Sequence, residues 1–188
     1  MKFYLTMLSA VLVSLALVSS VTAQRRDYVT EQEIELIRDN QDIDKRIDVL
    51  TKMIDRRFAA LNVEVGGWKQ SQKDMATWGD IRSGSRADQL YDIRQLLQKA
   101  IDDIDDVAMH NENTLTQNKR EGLLFPKAVR NLAGAATRYQ NPLKTLLNST
   151  KDEKERGLII ASLEHCQAII DSVTQLPAEV PKEGKKKT

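Results

Sequence analysis

The side chains best suited to chemistry are two histidines and one cysteine, His110, His165 and Cys166. Covalent haem attachment needs Cys-x-x-Cys-His, which a sequence with a single cysteine cannot contain. Cys166 falls on an apolar helical stripe, where a thiol behaves as a small hydrophobe of low reactivity, so we expect it in the core. His165 is predicted on a flank and His110 beside a polar turn. Both are therefore expected to be solvated histidines and not axial haem ligands.

An acidic run over residues 102–106 is the best candidate for a metal site. Asp106 and His110 are four residues apart, so on a helix they would share a face and could hold one ion. However, Ile104 and Val107 mark the opposite side as the core, which favours a solvated acidic face. A di-iron bundle needs Glu-x-x-His on two helices, and the sequence contains no such motif. We therefore predict no metal, no cofactor and no catalytic residue, and hence a protein that is not an enzyme.

Residues 1–23 have the pattern of a secretory leader. Lys2 precedes an apolar run that continues to Val18, and the stretch ends in Val21-Thr22-Ala23, a small-x-small cleavage signal. This pattern predicts a signal peptide, a mature chain from Gln24 and export to the periplasm or beyond. The alternative is a membrane anchor over residues 3–23, although its apolar core is short against the roughly 20 residues of a typical span.

The charge balance argues against nucleic acid as a partner. Of the 28 basic residues only Lys2 lies in the leader, so 27 remain to balance 27 acidic residues. Neutralising phosphates needs an excess of Lys and Arg on one face, which this balance does not suggest.

Four segments carry apolar residues at alternating steps of three and four, the period of long packed helices. The first begins at a capping box, Thr30 to Glu33, and its stripe is interrupted by Arg57. The second follows a cap at Ser85. The stripes are Ile43, Ile47, Leu50, Ile54 and Leu61; Leu90, Ile93, Leu97, Ile101, Ile104 and Val107; Phe125, Val129, Leu132, Ala136, Tyr139, Leu143 and Leu146; Ile159, Leu163, Cys166, Ile170 and Val173.

This pattern predicts an all-α fold, an up-and-down antiparallel bundle of four long helices with coiled-coil-like packing and no sheet. Connections near 119–124 and 148–152 are short, which favours antiparallel neighbours. Pro142 interrupts no step of its stripe, so we expect a kink in the third helix and not a break. The predicted organisation is a lead-in over 24–29, a bundle domain over 30–176 and a disordered basic tail over 177–188.

An insertion over residues 66–84, between the first two helices, contains both tryptophans. Trp68 and Met75 continue the seven-residue steps of the first stripe, and Trp78 follows three residues later. This register predicts a short helical piece that packs these side chains on the bundle, with the true loop confined to residues 79–84. The alternative is an exposed aromatic surface for a partner or ligand. Arg57 is predicted to form an inter-helix ion pair, with snorkelling or a partner contact as alternatives.

From Tyr28 to about Val173 the chain resembles a group of exported helical-bundle proteins of bacteria that have no assigned activity. The resemblance is carried by YVTEQEIELIRDNQDIDKRIDVLTKMIDRRF, by LLQKAIDDIDDVA and by the lysine-rich tail. It implies a helical fold and an exported location, and it supplies no catalytic residue.

The function expected from these features is non-enzymatic, through protein contacts in the cell envelope, with another envelope protein or a second copy as partner. The alternative is a module that holds a small apolar ligand or cofactor between helices. Membrane contact is expected only through an uncleaved leader or weakly through the lysine tail, which would attract anionic lipid.

Overall fold

The computed structural model describes residues 27–66, 71–110, 117–118 and 122–176. The fold is all-helical, and the described chain contains six α-helices that pack on one another. The predicted signal peptide, the basic tail and Trp68 lie outside the described residues. The helices are α1 (Glu31–Asp39), α2 (Ile43–Ala60), α3 (Gln72–Trp78), α4 (Arg86–His110), α5 (Leu124–Ser149) and α6 (Glu153–Ser172), followed by a 3-10 turn (Val173–Gln175).

The first predicted helix is two helices in the structure. The capping box at its beginning is confirmed, since the Glu33 amide donates to Thr30 Oγ1 (3.2 Å) and the Thr30 amide donates to Glu33 Oε2 (2.9 Å). The helix then ends at Asn40, whose backbone (φ −111°, ψ 82°) is not helical and whose side chain donates to the Leu36 carbonyl. Local side-chain bonding by Asn competes with the helical ladder, which accounts for the break that an apolar count does not register.

Four long helices surround the core. Helix α2 packs on α4 and α5, and α6 packs on the same two helices. In the contacts between α2 and α5, the residue numbers increase in the same direction along both helices, so these two neighbours are parallel. The pairs are Asp44 with Lys127, Asp48 with Asn131 and Asp55 with Tyr139.

The two connections that were predicted to be short differ in how closely they place the helices that they join. Residues 150–152 join α5 to α6, which pack closely on each other. By contrast, α4 and α5 contact each other less than either contacts α6, so the connection predicted near 119–124 does not make them close neighbours. The length of the connection permits this separation, because α4 ends at His110 and α5 begins only at Leu124. Within that span the prediction of no sheet is wrong in a small way, since β1 (Gln117–Asn118) pairs antiparallel with β2 (Gly122–Leu123).

Most of the predicted core is confirmed. Ile47, Leu50 and Ile54 are fully buried, and α5 continues through Pro142 without a break. On α6 the register is shifted, because Ser162 and Ile169 are buried in place of Leu163 and Ile170. In the described part of the chain, no helix combines the length and apolar character that crossing a bilayer requires.

Candidate functional site

Two adjacent arginines at the end of α2 lie inside the protein. Arg57 has no exposed surface and Arg56 is 1% exposed. Burying a charged group is strongly unfavourable unless hydrogen bonds and opposite charges replace its water. The partners of these two guanidinium groups therefore define the most unusual chemistry of the described chain.

Arg57 joins three separate segments. Its Nη1 and Nη2 donate to Glu33 Oε1 (2.8 Å) and Oε2 (2.7 Å), the two-pronged geometry that makes arginine–carboxylate pairs strong. Its Nε donates to Asp92 Oδ2 (3.2 Å), and Nη2 also donates to the Tyr28 carbonyl (3.1 Å). Glu33 and Asp92 are themselves buried. The predicted inter-helix ion pair is thus confirmed, and full burial excludes snorkelling.

Arg82 completes this arrangement from the loop before α4. Its Nη1 donates to the Val29 carbonyl (2.9 Å), its Nη2 donates to the Asp27 carbonyl, and its Nε lies 3.3 Å from Asp92 Oδ2. We call residues 27–39 the strap, and Arg57, Arg82 and Asp92 the strap site. The strap site holds the strap through one carboxylate and three consecutive main-chain carbonyls.

Arg56 holds the end of α3. Its Nη2 donates to the carbonyls of Trp78 (3.3 Å), Gly79 (3.0 Å) and Asp80 (2.8 Å), and its guanidinium lies 5.7 Å from the Trp78 ring centre. A cation at this position complements the negative end of the helix dipole and satisfies carbonyls that the helix leaves unpaired. Burial lowers the pKa of the Arg56 guanidinium, and the nearby Glu33 carboxylate acts in the opposite direction.

The insertion is partly as predicted. The short helix α3 exists, with a capping box between Ser71 and Asp74, and Trp78 is 6% exposed and belongs to the core. Met75, however, is 46% exposed, so the expectation that it packs on the bundle is wrong. The helix begins afresh at its own cap, and the seven-residue register counted from α2 therefore does not carry across the glycines into it.

Among the residues that the structure describes, the other chemically capable side chains show no common site. Cys166 is buried, and burial raises the pKa of its thiol to about 12, which suppresses the reactive thiolate. His165 is half-buried where solvation was expected, and desolvation lowers its pKa, as does the Arg94 charge. The His110 side chain lies outside the described part of the structure. Within that part, no three His, Cys, Asp or Glu side chains gather as a metal ligand set.

Sequence reasoning identified Arg57 but missed most of its partners. Glu33 was recognised as a helix cap, which it is, and its second role as a buried counter-ion carries no additional local signal. Asp92 and Arg56 look like ordinary charged residues of amphipathic helices. The one available signal for Asp92 was its position. It lies directly before the core residue Ile93 and two residues after Leu90, and so next to the apolar stripe of its helix.

No protein-family model, curated protein or solved structure matches this chain.

Proposed function

We propose that this chain is an exported, non-enzymatic protein that acts through protein contacts in the cell envelope. The observation that carries the proposal is the outer face of α3. Met75 is 46% exposed there, while Trp78 on the same helix is buried and the end of the helix is bound by Arg56. A solvent-exposed methionine on a helix that is held in place is suited to contact the surface of a partner protein.

The rigid support of α3 favours binding over a purely structural role. Three carbonyls at the end of α3 accept hydrogen bonds from one buried guanidinium, and α1 also packs on α3. A surface that is ordered before binding avoids the entropic cost of ordering it on binding. The helix backbone that carries Met75 is therefore held in place by Arg56 and α1.

The bundle serves as the scaffold in this proposal, with its four long helices running alternately up and down. The interior between them is filled by apolar and aromatic side chains, including Phe58 and Tyr139, whose rings stack at 5.2 Å. This packing supports a surface contact in preference to a small ligand held between the helices.

Photocrosslinking from position 75 tests the proposal. A photoreactive amino acid replaces Met75 in the full chain expressed in its native host, and a matched variant carries it at Ile160 on α6, which is 42% exposed. We expect a discrete adduct with an envelope protein from position 75, absent from position 160 and suppressed by excess purified unlabelled protein. The same adducts from both positions, or none from position 75, would contradict the proposed surface.

Cell fractionation and amino-terminal sequencing test the location. Mature protein that begins at Gln24 in the envelope fraction is the expected result. Full-length protein in the cytoplasm would exclude an envelope role.

A further inference from the structure

Polar side chains from the rest of the protein hold the strap, in addition to the contacts of its own apolar residues. Within α1 the buried residue is Glu33, a charged one. The apolar strap side chains that pack against the core are only partly buried, and these are Tyr28, Val29, Leu36 and Ile37.

The contacts are of the kind that a receptor uses for a separate peptide. Arg57 binds the Glu33 carboxylate with both prongs, and Arg57 and Arg82 together bind the carbonyls of residues 27, 28 and 29. Main-chain carbonyls provide affinity that does not depend on side chains, and one buried carboxylate provides specificity. Asp92 lies behind both guanidinium groups and keeps them in place.

The covalent link between the strap and α2 is short. Residues 40–42 separate Asp39 from Ile43, and Asn40 already has a non-helical backbone. A change of a few dihedral angles in this link would direct the strap away from its own strap site without altering either helix. Exchange of an identical element between copies then reproduces every strap contact between chains.

We propose that the strap site is an interaction surface for a second copy of this chain, which inserts its own strap and supplies Glu33 to Arg57. The strap contacts of the exchanged dimer are those of the monomer. The two forms therefore differ mainly in the backbone conformation of residues 40–42 and in the entropy of association. A short link gives the strap an effective concentration near the millimolar range at its own site. The closed monomer therefore dominates in dilute solution, and exchange becomes visible when the intramolecular contact is removed.

Complementation between two full-chain variants tests this proposal. Glu33→Ala keeps the strap site but has no carboxylate to insert, and Arg57→Met keeps the strap but has no fork to receive it. In the second variant Asp92 retains its contact with Arg82. We expect each variant alone to be monomeric and a one-to-one mixture, at concentrations well below millimolar, to give a heterodimer by native mass spectrometry.

The double variant Glu33→Ala/Arg57→Met is the matched control, since its mixture with Glu33→Ala contains no competent strap and should stay monomeric. A mixture of the two folded single variants that stays monomeric overturns the proposal, as does dimerisation of either variant alone to the same extent.

Hydrogen exchange on the unaltered protein decides the matter if a variant fails to fold. The proposal expects amides of α1 to exchange faster than those of α2 and α4, through an opening that leaves the bundle intact. Equal protection of α1 and the long helices overturns it. These measurements use purified protein, so their failure leaves the Met75 contact with an envelope partner untouched, and the reverse holds for the crosslinking experiment.

Discussion

Arg57 and Glu33 are 24 positions apart in the chain, and their buried side chains meet in a two-pronged ion pair with N–O distances of 2.8 and 2.7 Å. This pair fastens the strap to the end of α2. It also explains why an arginine occupies a position of the first apolar stripe, because the residue that faces it inside the protein is a carboxylate.

Glu33→Gln should destabilise the protein by about 2–3 kcal/mol, because the buried Arg57 charge then loses one of its two carboxylate partners. Arg57 keeps Asp92, which limits the loss. Urea unfolding followed by circular dichroism measures the change. Glu35→Gln is the control, since Glu35 forms an exposed pair with Arg38, and less than about 0.5 kcal/mol is expected. Equal effects of the two substitutions would contradict the importance of the buried pair.

Two glycines should respond to alanine in opposite directions. Gly79 has φ +65°, and an added Cβ would lie 3.1 Å from Gln32 Oε1, so Gly79→Ala is expected to cost about 1–3 kcal/mol. Gly134 is an exposed helical residue with nothing within 4 Å of an added Cβ, so Gly134→Ala should stabilise by about 0.5–1 kcal/mol. Thermal unfolding of the two variants and the unaltered chain measures both changes. The midpoint temperature should fall for Gly79→Ala and rise for Gly134→Ala.

Arg56→Met should release the end of α3 and increase the exposure of Trp78. The three carbonyls of residues 78–80 lose their shared donor, and methionine fills the volume without replacing the hydrogen bonds. Acrylamide quenching in a Trp68→Phe background reports on Trp78 alone. Stronger quenching than in that background is expected, and Arg38→Met, which alters an exposed arginine, should leave quenching unchanged.

The Cys166 thiol should make stability depend on pH in alkaline solution. Burial raises its pKa from 9.0 to about 12, so the folded state retains a proton that the unfolded state loses. The contribution is fully present below about pH 9 and is lost as the pH rises towards 12. Unfolding free energies across this window should fall more steeply for the unaltered protein than for Cys166→Ala. Parallel curves would show that the thiol does not contribute.

Deletion of residues 182–188 tests the lysine tail. Its four lysines are expected to attract anionic lipid or cell-wall polymer, so the truncated protein should bind isolated envelopes more weakly in low salt. High salt should abolish the difference through screening. Sedimentation with envelopes at two salt concentrations measures the difference, and unchanged low-salt binding would show that the tail does not contribute to envelope association.

The sequence by itself determined the helical class and much of the core, because apolar residues at steps of three and four have one efficient way to leave water. Ile47, Leu50 and Ile54 are buried as counted, and the caps at Thr30 and Ser85 lie where their local hydrogen bonds require. Cys166 is buried for the same reason. These features depend on neighbours within a few positions of the chain, which a sequence shows directly.

Only the tertiary structure decided where the charges go and which helices meet. Glu33 reads as a cap and Asp92 as a solvated acid until folding brings both to Arg57, 24 and 35 positions away. Met75 continues the seven-residue register of the first helix, but α3 begins at its own cap and leaves Met75 exposed. Helix α2 packs parallel to α5, and the consecutive helices α4 and α5 contact each other less than either contacts α6. A buried ion pair depends on the three-dimensional coincidence of distant groups, and the local pattern around each of them carries no record of it.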